Sequence, residues 1–206
     1  MARALGVTVE TLDFGNRATI DLAQVEAHLA ADRSGRIKAV MAVQVDTSTS
    51  VLNDIAALRR SLDAAGHGAL LMVDCIASLG CDKFLMDEWG VDLMVTACQK
   101  GLMTPPGISF VFFSDKAAAA RNAMTRVSSY WDWTALINPA SFYQYFCGTA
   151  PTQHLLGLRE ALDMILAEEF RHVWARHEAI PWGVWAACGA SGTGGLLALD
   201  LAVPSL

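Results

Sequence analysis

Two short apolar runs near the middle of the chain, each leading into a charged residue, restrict the fold more than any other feature. Ala69-Leu70-Leu71-Met72-Val73 runs directly into Asp74. The second run, 91–98, has only Asp92 and Thr96 polar and leads through Gln99 into Lys100. Runs this continuously apolar do not alternate as the strands of a half-solvated sheet do. They predict buried parallel strands covered on both faces, with helix-forming segments between them. The expected fold class is therefore α/β, a mostly parallel sheet with flanking helices. In open sheets of that kind ligands bind beyond the carboxyl ends of the strands, so Asp74 and Lys100 are expected to project toward one crevice.

The remaining segments fit around that centre. Residues 7–12 alternate with β-branched side chains and predict a strand, and Asp13-Phe14-Gly15-Asn16-Arg17 predicts a turn. Asp21 is placed to cap a helix over 22–31, where Leu22, Val25 and Leu29 fall at helical spacing. A strand is expected over 37–45, a helix over 51–65, and a break at Gly66-His67-Gly68 with His67 on the surface. The strand over 108–113 is expected to run antiparallel, followed by an alanine-rich helix over 115–125. Residues 128–145 are aromatic and irregular. An amphipathic helix over 153–169 and the start of a long helix at Phe170 complete the pattern. Ser191-Gly192-Thr193-Gly194-Gly195 reads as a turn rather than a phosphate cradle, because it opens a strand over 196–201 instead of a helix.

Composition narrows the function. A net charge of −6 and a pI near 5.3 give no basic footprint for nucleic acid. Five cysteines form no CxxC pair, which fits reduced, buried thiols better than a disulfide framework or a zinc site. No apolar run reaches the roughly 18 to 20 residues of a membrane span. The opening Met1-Ala2-Arg3-Ala4-Leu5-Gly6 lacks a signal-peptide pattern, so a cytoplasmic protein is expected. No GxGxxG follows the first expected strand, which removes the sequence argument for a dinucleotide domain.

An acid and an amine at the ends of neighbouring strands are what pyridoxal 5'-phosphate requires, since a lysine holds its aldehyde and an aspartate its protonated ring nitrogen. The same pattern also describes two solvated charges, and residue types alone leave both readings open. The flanking residues add a resemblance. Val73-Asp74-Cys75-Ile76-Ala77-Ser78-Leu79-Gly80, Met86-Asp87-Glu88-Trp89-Gly90-Val91-Asp92 and Cys98-Gln99-Lys100-Gly101-Leu102-Met103-Thr104-Pro105-Pro106-Gly107 resemble class V aminotransferases, in particular the serine-glyoxylate and alanine-glyoxylate group, in order, spacing and neighbours together.

The resemblance implies the large domain of a fold-type I transferase dependent on pyridoxal 5'-phosphate. Lys100 would form the Schiff base, Asp74 would hold the ring nitrogen, and Gln99 would flank the cofactor. Asp46-Thr47-Ser48-Thr49-Ser50 resembles the family stretch whose first hydroxyl, here Thr47, bonds the ring oxygen. Gln44 and Val45 stand where His and Asn are frequent in the family, and Ser50 where Gly is usual. Residues 145–152 resemble the stretch that crosses to the partner's cofactor phosphate, with Thr149 as donor and Phe146 where a tyrosine is frequent. A homodimer with composite sites, a small amino acid (serine or alanine) and a 2-oxo acid such as glyoxylate are the implied partners.

The resemblance also implies a partial large domain over 1–172 and the beginning of a small C-terminal domain over 173–206. Met1 is then expected to be internal to a longer protein, or the start of a fragment. Two alternatives stand beside the aminotransferase. One is a catalytically silent fragment, since no arginine follows Arg176 to grip a substrate carboxylate. The other is a cysteine desulfurase-like enzyme, against which Gln99 counts, because desulfurases generally have His before the lysine.

Overall fold

The computed structural model describes residues 2–137 and 139–190. Helix α1 (Leu22–Ala31) begins where Asp21 Oδ1 accepts the Gln24 N–H at 3.0 Å, and it buries Val25 and Leu29. Strand β1 (Ala39–Val43) follows, then α2 (Ile55–Ala64). This helix starts four residues later than its apolar spacing predicts. The reason is local hydrogen bonding: Asp54 Oδ1 caps the Ala57 N–H at 2.7 Å, while Asn53 is already committed, donating to Val43 O and accepting from Ile20 N–H, both at 2.9 Å. Strands β2 (Leu70–Asp74), β3 (Leu93–Ala97) and β4 (Ser109–Phe113) come next. After them lie α3 (Asp115–Asn122), the short α4 (Thr134–Ile137), a 3-10 turn at Phe142–Phe146, α5 (Thr152–Glu168) and α6 (Phe170–Ala190).

The four strands form one sheet in the order β1-β2-β3-β4, with β1, β2 and β3 parallel and β4 antiparallel to β3. The α/β reading and the antiparallel fourth strand are therefore as the sequence predicts. The strand predicted over 7–12 does not form. β-branched alternation favours a strand, but a strand also needs a neighbouring ladder, and among the described residues none pairs with this segment. The turn at 191–195 and the strand at 196–201 lie outside the described residues.

One face of the sheet carries the core. Leu71, Val73 and Met94 on this face pack with Val25 and Leu29 of α1 and with Ile55, Leu58 and Leu62 of α2. A second cluster joins Cys98 and Leu102 to Leu158 and Ile165 of α5 and Val173 of α6. Coverage of both faces, predicted from the apolar runs, is only half realised. Side chains alternate along a strand, and the opposite face includes Met41 at 73 % exposure, with Val43 and Val111 also exposed. Asp74 belongs to this more open face, two residues beyond Met72.

His67 also departs from expectation. Its side chain is 7 % exposed, with Nε2 3.4 Å from Asp32 Oδ2, and its Nδ1 accepts the Ala69 N–H at 3.1 Å. The imidazole thus ties the end of α1 to the start of β2 instead of facing solvent.

Candidate active site

Parallel pairing levels the carboxyl ends of three adjacent strands. Val43 at the end of β1 lies opposite Asp74 at the end of β2, and Asp74 lies opposite Val95 near the end of β3. Thr47 is in the turn that leaves β1, Asp74 closes β2, and Lys100 is in the turn that leaves β3. Three of the residues singled out in the sequence therefore emerge from consecutive strands at one edge of the sheet.

Each turn is built by short-range hydrogen bonds. After β1, Asp46 Oδ1 accepts the Ser48 N–H and hydroxyl, both at 2.6 Å, and the Thr49 N–H at 3.2 Å. These bonds favour the ionised carboxylate and hold its pKa below the ordinary range, the Ser48 hydroxyl being the largest cause. After β2, Asp74 Oδ1 accepts the Ile76 N–H at 2.8 Å. After β3, Met103 N–H donates to Lys100 O at 2.9 Å and Thr104 N–H to Cys98 O at 3.0 Å. The Cys98 thiol donates to Pro105 O at 3.0 Å, and its sulfur accepts the Ile108 N–H at 3.4 Å. His154 Nε2, in the first turn of α5, donates to Pro106 O at 3.1 Å.

The Asp74 and Lys100 turns touch through glycines. A Cβ on Gly101 would lie 2.3 Å from Leu79 O and 2.9 Å from Cys81 Sγ, and one on Gly80 would lie 2.9 Å from the carbonyl of Gly101. Only hydrogen fits at either place, so the residue next to Lys100 rests directly on the turn that follows Asp74. Three of the four non-glycine residues with positive φ among the described residues fall in these loops, the fourth, Glu169, lying between α5 and α6. Ser50, Met103 and Cys147 have φ of 61°, 54° and 54°, and each lies within three residues of Thr47, Lys100 or Thr149. Backbone strain of this kind concentrates where side chains must be aimed.

Thr149 stands apart from the other three. It is exposed, in the bend before α5, and among the described residues its hydroxyl makes no hydrogen bond to the Thr47, Asp74 or Lys100 turns. Gln99 is exposed beside Lys100. Sequence reasoning did not single out Gln44, Ser78 or His154 as site residues. Of these only Gln44 carried a signal, an amide at the end of an apolar strand.

The donor set fits pyridoxal 5'-phosphate. Among the described residues the Lys100 ammonium has no carboxylate or carbonyl partner, the second Asp74 oxygen has none, and the Thr47 hydroxyl has none. A free amine, an acceptor for a cationic N–H and a hydroxyl donor are what an aldehyde, a pyridinium and a phenolic oxygen need. Burial disfavours the thiolate at Cys75 and Cys81. Burial pushes the Cys75 thiol up to about 12, and the charge of Asp74 adds to this against the opposing Ser78 hydroxyl. Burial likewise raises Cys81.

The model of the aminotransferase class-V family matches residues 1–181. The L-aspartate–glyoxylate aminotransferase of Paracoccus denitrificans is 41% identical over 190 residues, covering 91% of this chain and 47% of that protein. The serine–glyoxylate aminotransferase of Methylorubrum extorquens is 38% identical over 189 residues, covering 87% and 46%. The alanine–glyoxylate aminotransferase structure from Nostoc sp. superposes with a TM-score of 0.74 at 27% identity, covering 84% of this chain and 45% of that one. The chain thus spans about half the length of the relatives it matches.

Proposed function

The chain belongs to the aminotransferase class-V family, and from that premise we propose that its protein moves an amino group from a small amino acid to glyoxylate or a related 2-oxo acid, with pyridoxal 5'-phosphate held at Lys100. The observation that carries this reading is the strand register that sets Thr47, Asp74 and Lys100 on three consecutive loops. The relatives named above take glyoxylate in common and differ in donor, so serine, alanine and aspartate are the donors to test.

When bound, the cofactor supplies an aldehyde for amine exchange and a cationic ring that draws electron density from the substrate's α-carbon. The chain's residues supply the rest. The free oxygen of Asp74 would accept the ring N–H. The Thr47 hydroxyl donates to the ring oxygen. Lys100 Nζ would hold the aldehyde before substrate arrives and, once released, would take the proton from the substrate α-carbon and deliver it to the cofactor's former aldehyde carbon. Gln99 flanks the bound ring.

Thr149 has no role within its own subunit in this reading. It donates instead to the cofactor phosphate of a second copy of the chain. The exposed Tyr130, Trp131, Phe142 and Tyr143 supply an aromatic surface for that contact. No helix among the described residues is long and apolar enough to cross a membrane. The free thiols of Cys75 and Cys98 support placement in the reducing cytoplasm.

The test is glycine formation from glyoxylate by the full-length protein with serine, alanine or aspartate as donor. Lys100→Ala is expected to lower the rate by at least roughly 10²–10⁴-fold, the range for loss of a positioned proton carrier. Equal turnover by parent and variant would refute the assignment.

A further inference from the structure

Gln44 lies at the end of β1, 2 % exposed, and all of its polar atoms are in use. Its N–H donates to Asp74 O at 2.9 Å, and its carbonyl accepts the Asn53 N–H at 2.8 Å. The first bond joins the Thr47 loop to the end of β2, and the second closes that loop. Its side-chain Nε2 donates to Lys83 O at 2.9 Å, and Oε1 accepts the Ser78 hydroxyl at 2.6 Å. Ser78 is fully buried, and its own carbonyl accepts the N–H groups of Cys81 and Asp82, both at 2.8 Å. Gln44 therefore grips the turn after Asp74 at both ends, and Gly80 of that turn is the surface on which Gly101 rests.

Resting on the function proposed above, we infer that Gln44 is the positioning residue of this site, setting the Thr47, Asp74 and Lys100 loops relative to one another through Ser78 and Lys83. Its chemistry suits the position. An amide offers one donor and one acceptor at every pH, which is what Lys83 O and the Ser78 hydroxyl require. A neutral imidazole offers the same pair, whereas a protonated one presents two donors and a buried charge, and the Ser78 hydroxyl must turn to accept while donating to Cys75 O, 3.5 Å away. Histidine at this place would therefore make the assembly of the site depend on pH, and glutamine keeps it independent.

Two measurements on the full-length protein test this. The first is amide hydrogen exchange of the cofactor-free protein with Gln44→Ala and with the milder Ser78→Ala. Exchange is expected to quicken at least tenfold at Ile76, Met103 and Thr104, with the α5 amides unchanged. Unaltered exchange at Met103 and Thr104 in both variants would overturn the inference. The second is pyridoxal 5'-phosphate affinity of Gln44→His relative to the parent, followed with pH. The ratio is expected near unity at about pH 8 and to fall at least tenfold by about pH 5, through the imidazole range. A ratio that stays constant although the substituted imidazole is seen by NMR to protonate within that range would also overturn it. A parent that binds no pyridoxal 5'-phosphate would instead refute the proposed function, and the exchange experiment would still decide whether Gln44 couples the loops.

Discussion

Ser50 holds φ 61° while its N–H donates to Asp46 O at 2.8 Å, a left-handed conformation that costs a residue with a Cβ about 1 kcal/mol. Ser50→Gly is expected to raise stability by up to that amount, read as a higher denaturation midpoint. Gly101→Ala acts in the opposite direction. Its methyl would meet Leu79 O and Cys81 Sγ, so cofactor affinity is expected to fall as Lys100 is displaced. The Asp46 turn is sensitive to acid. Its folded pKa lies below the unfolded value, so its contribution is complete above about pH 4 and is lost as pH falls through the folded value. A fall in the protection of the Ser48 amide, relative to its intrinsic exchange rate, on acidification checks this. Thiol labelling at neutral pH should modify exposed Cys147 and spare buried Cys75. At this scale Lys100 and Asp74 were legible because each is a charge that follows an apolar run. Ser78 was not, because a serine in a turn looks alike whether its hydroxyl meets water or Gln44.

Among the elements, the sheet is tied together at its other end by Asp92, 5 % exposed. Its Oδ2 accepts the Leu71 N–H at 2.9 Å and Lys116 Nζ at 3.3 Å, and its Oδ1 accepts the Ser114 hydroxyl at 3.2 Å. One carboxylate thus joins β2, β3 and the start of α3. Asp92→Ala removes the acceptor and leaves the Leu71 amide buried without one. The expected cost is about 3 kcal/mol, toward the lower end of the range for breaking a buried pair because Lys116 is partly solvated. A urea midpoint measures it, and Asp92→Asn should recover part of the loss. Helix α1 and the four strands were readable from caps and apolar runs. The late start of α2 was not, because Asn53 and Asp54 are held by Val43, Ile20 and Ala57, and spacing along the chain does not report such contacts. Residues 7–12 misled for a related reason, since alternation reports a backbone preference and not the presence of a neighbour.

At the scale of the whole molecule, several apolar side chains are uncovered among the described residues, and two groups of them lie on the sheet and ahead of α5. One is the open sheet face with Met41, Val43 and Val111. The other is the aromatic stretch with Tyr130 and Trp131, 76 % and 59 % exposed. Patches of this kind mark association surfaces. If the proposed dimer uses the aromatic stretch, Trp131→Glu is expected to weaken self-association of the full-length protein by at least tenfold in sedimentation experiments, and to reduce cofactor retention with it, because on that reading Thr149 serves the cofactor of the second subunit. The central claim, however, concerns Lys100. The most direct measurement is borohydride reduction of the protein with added pyridoxal 5'-phosphate, followed by mass spectrometry of its peptides. A reduced pyridoxyl group confined to the peptide containing Lys100, and absent from Lys100→Ala, is the predicted result. Attachment spread over Lys38, Lys83 and Lys116, or unchanged in the variant, would contradict it.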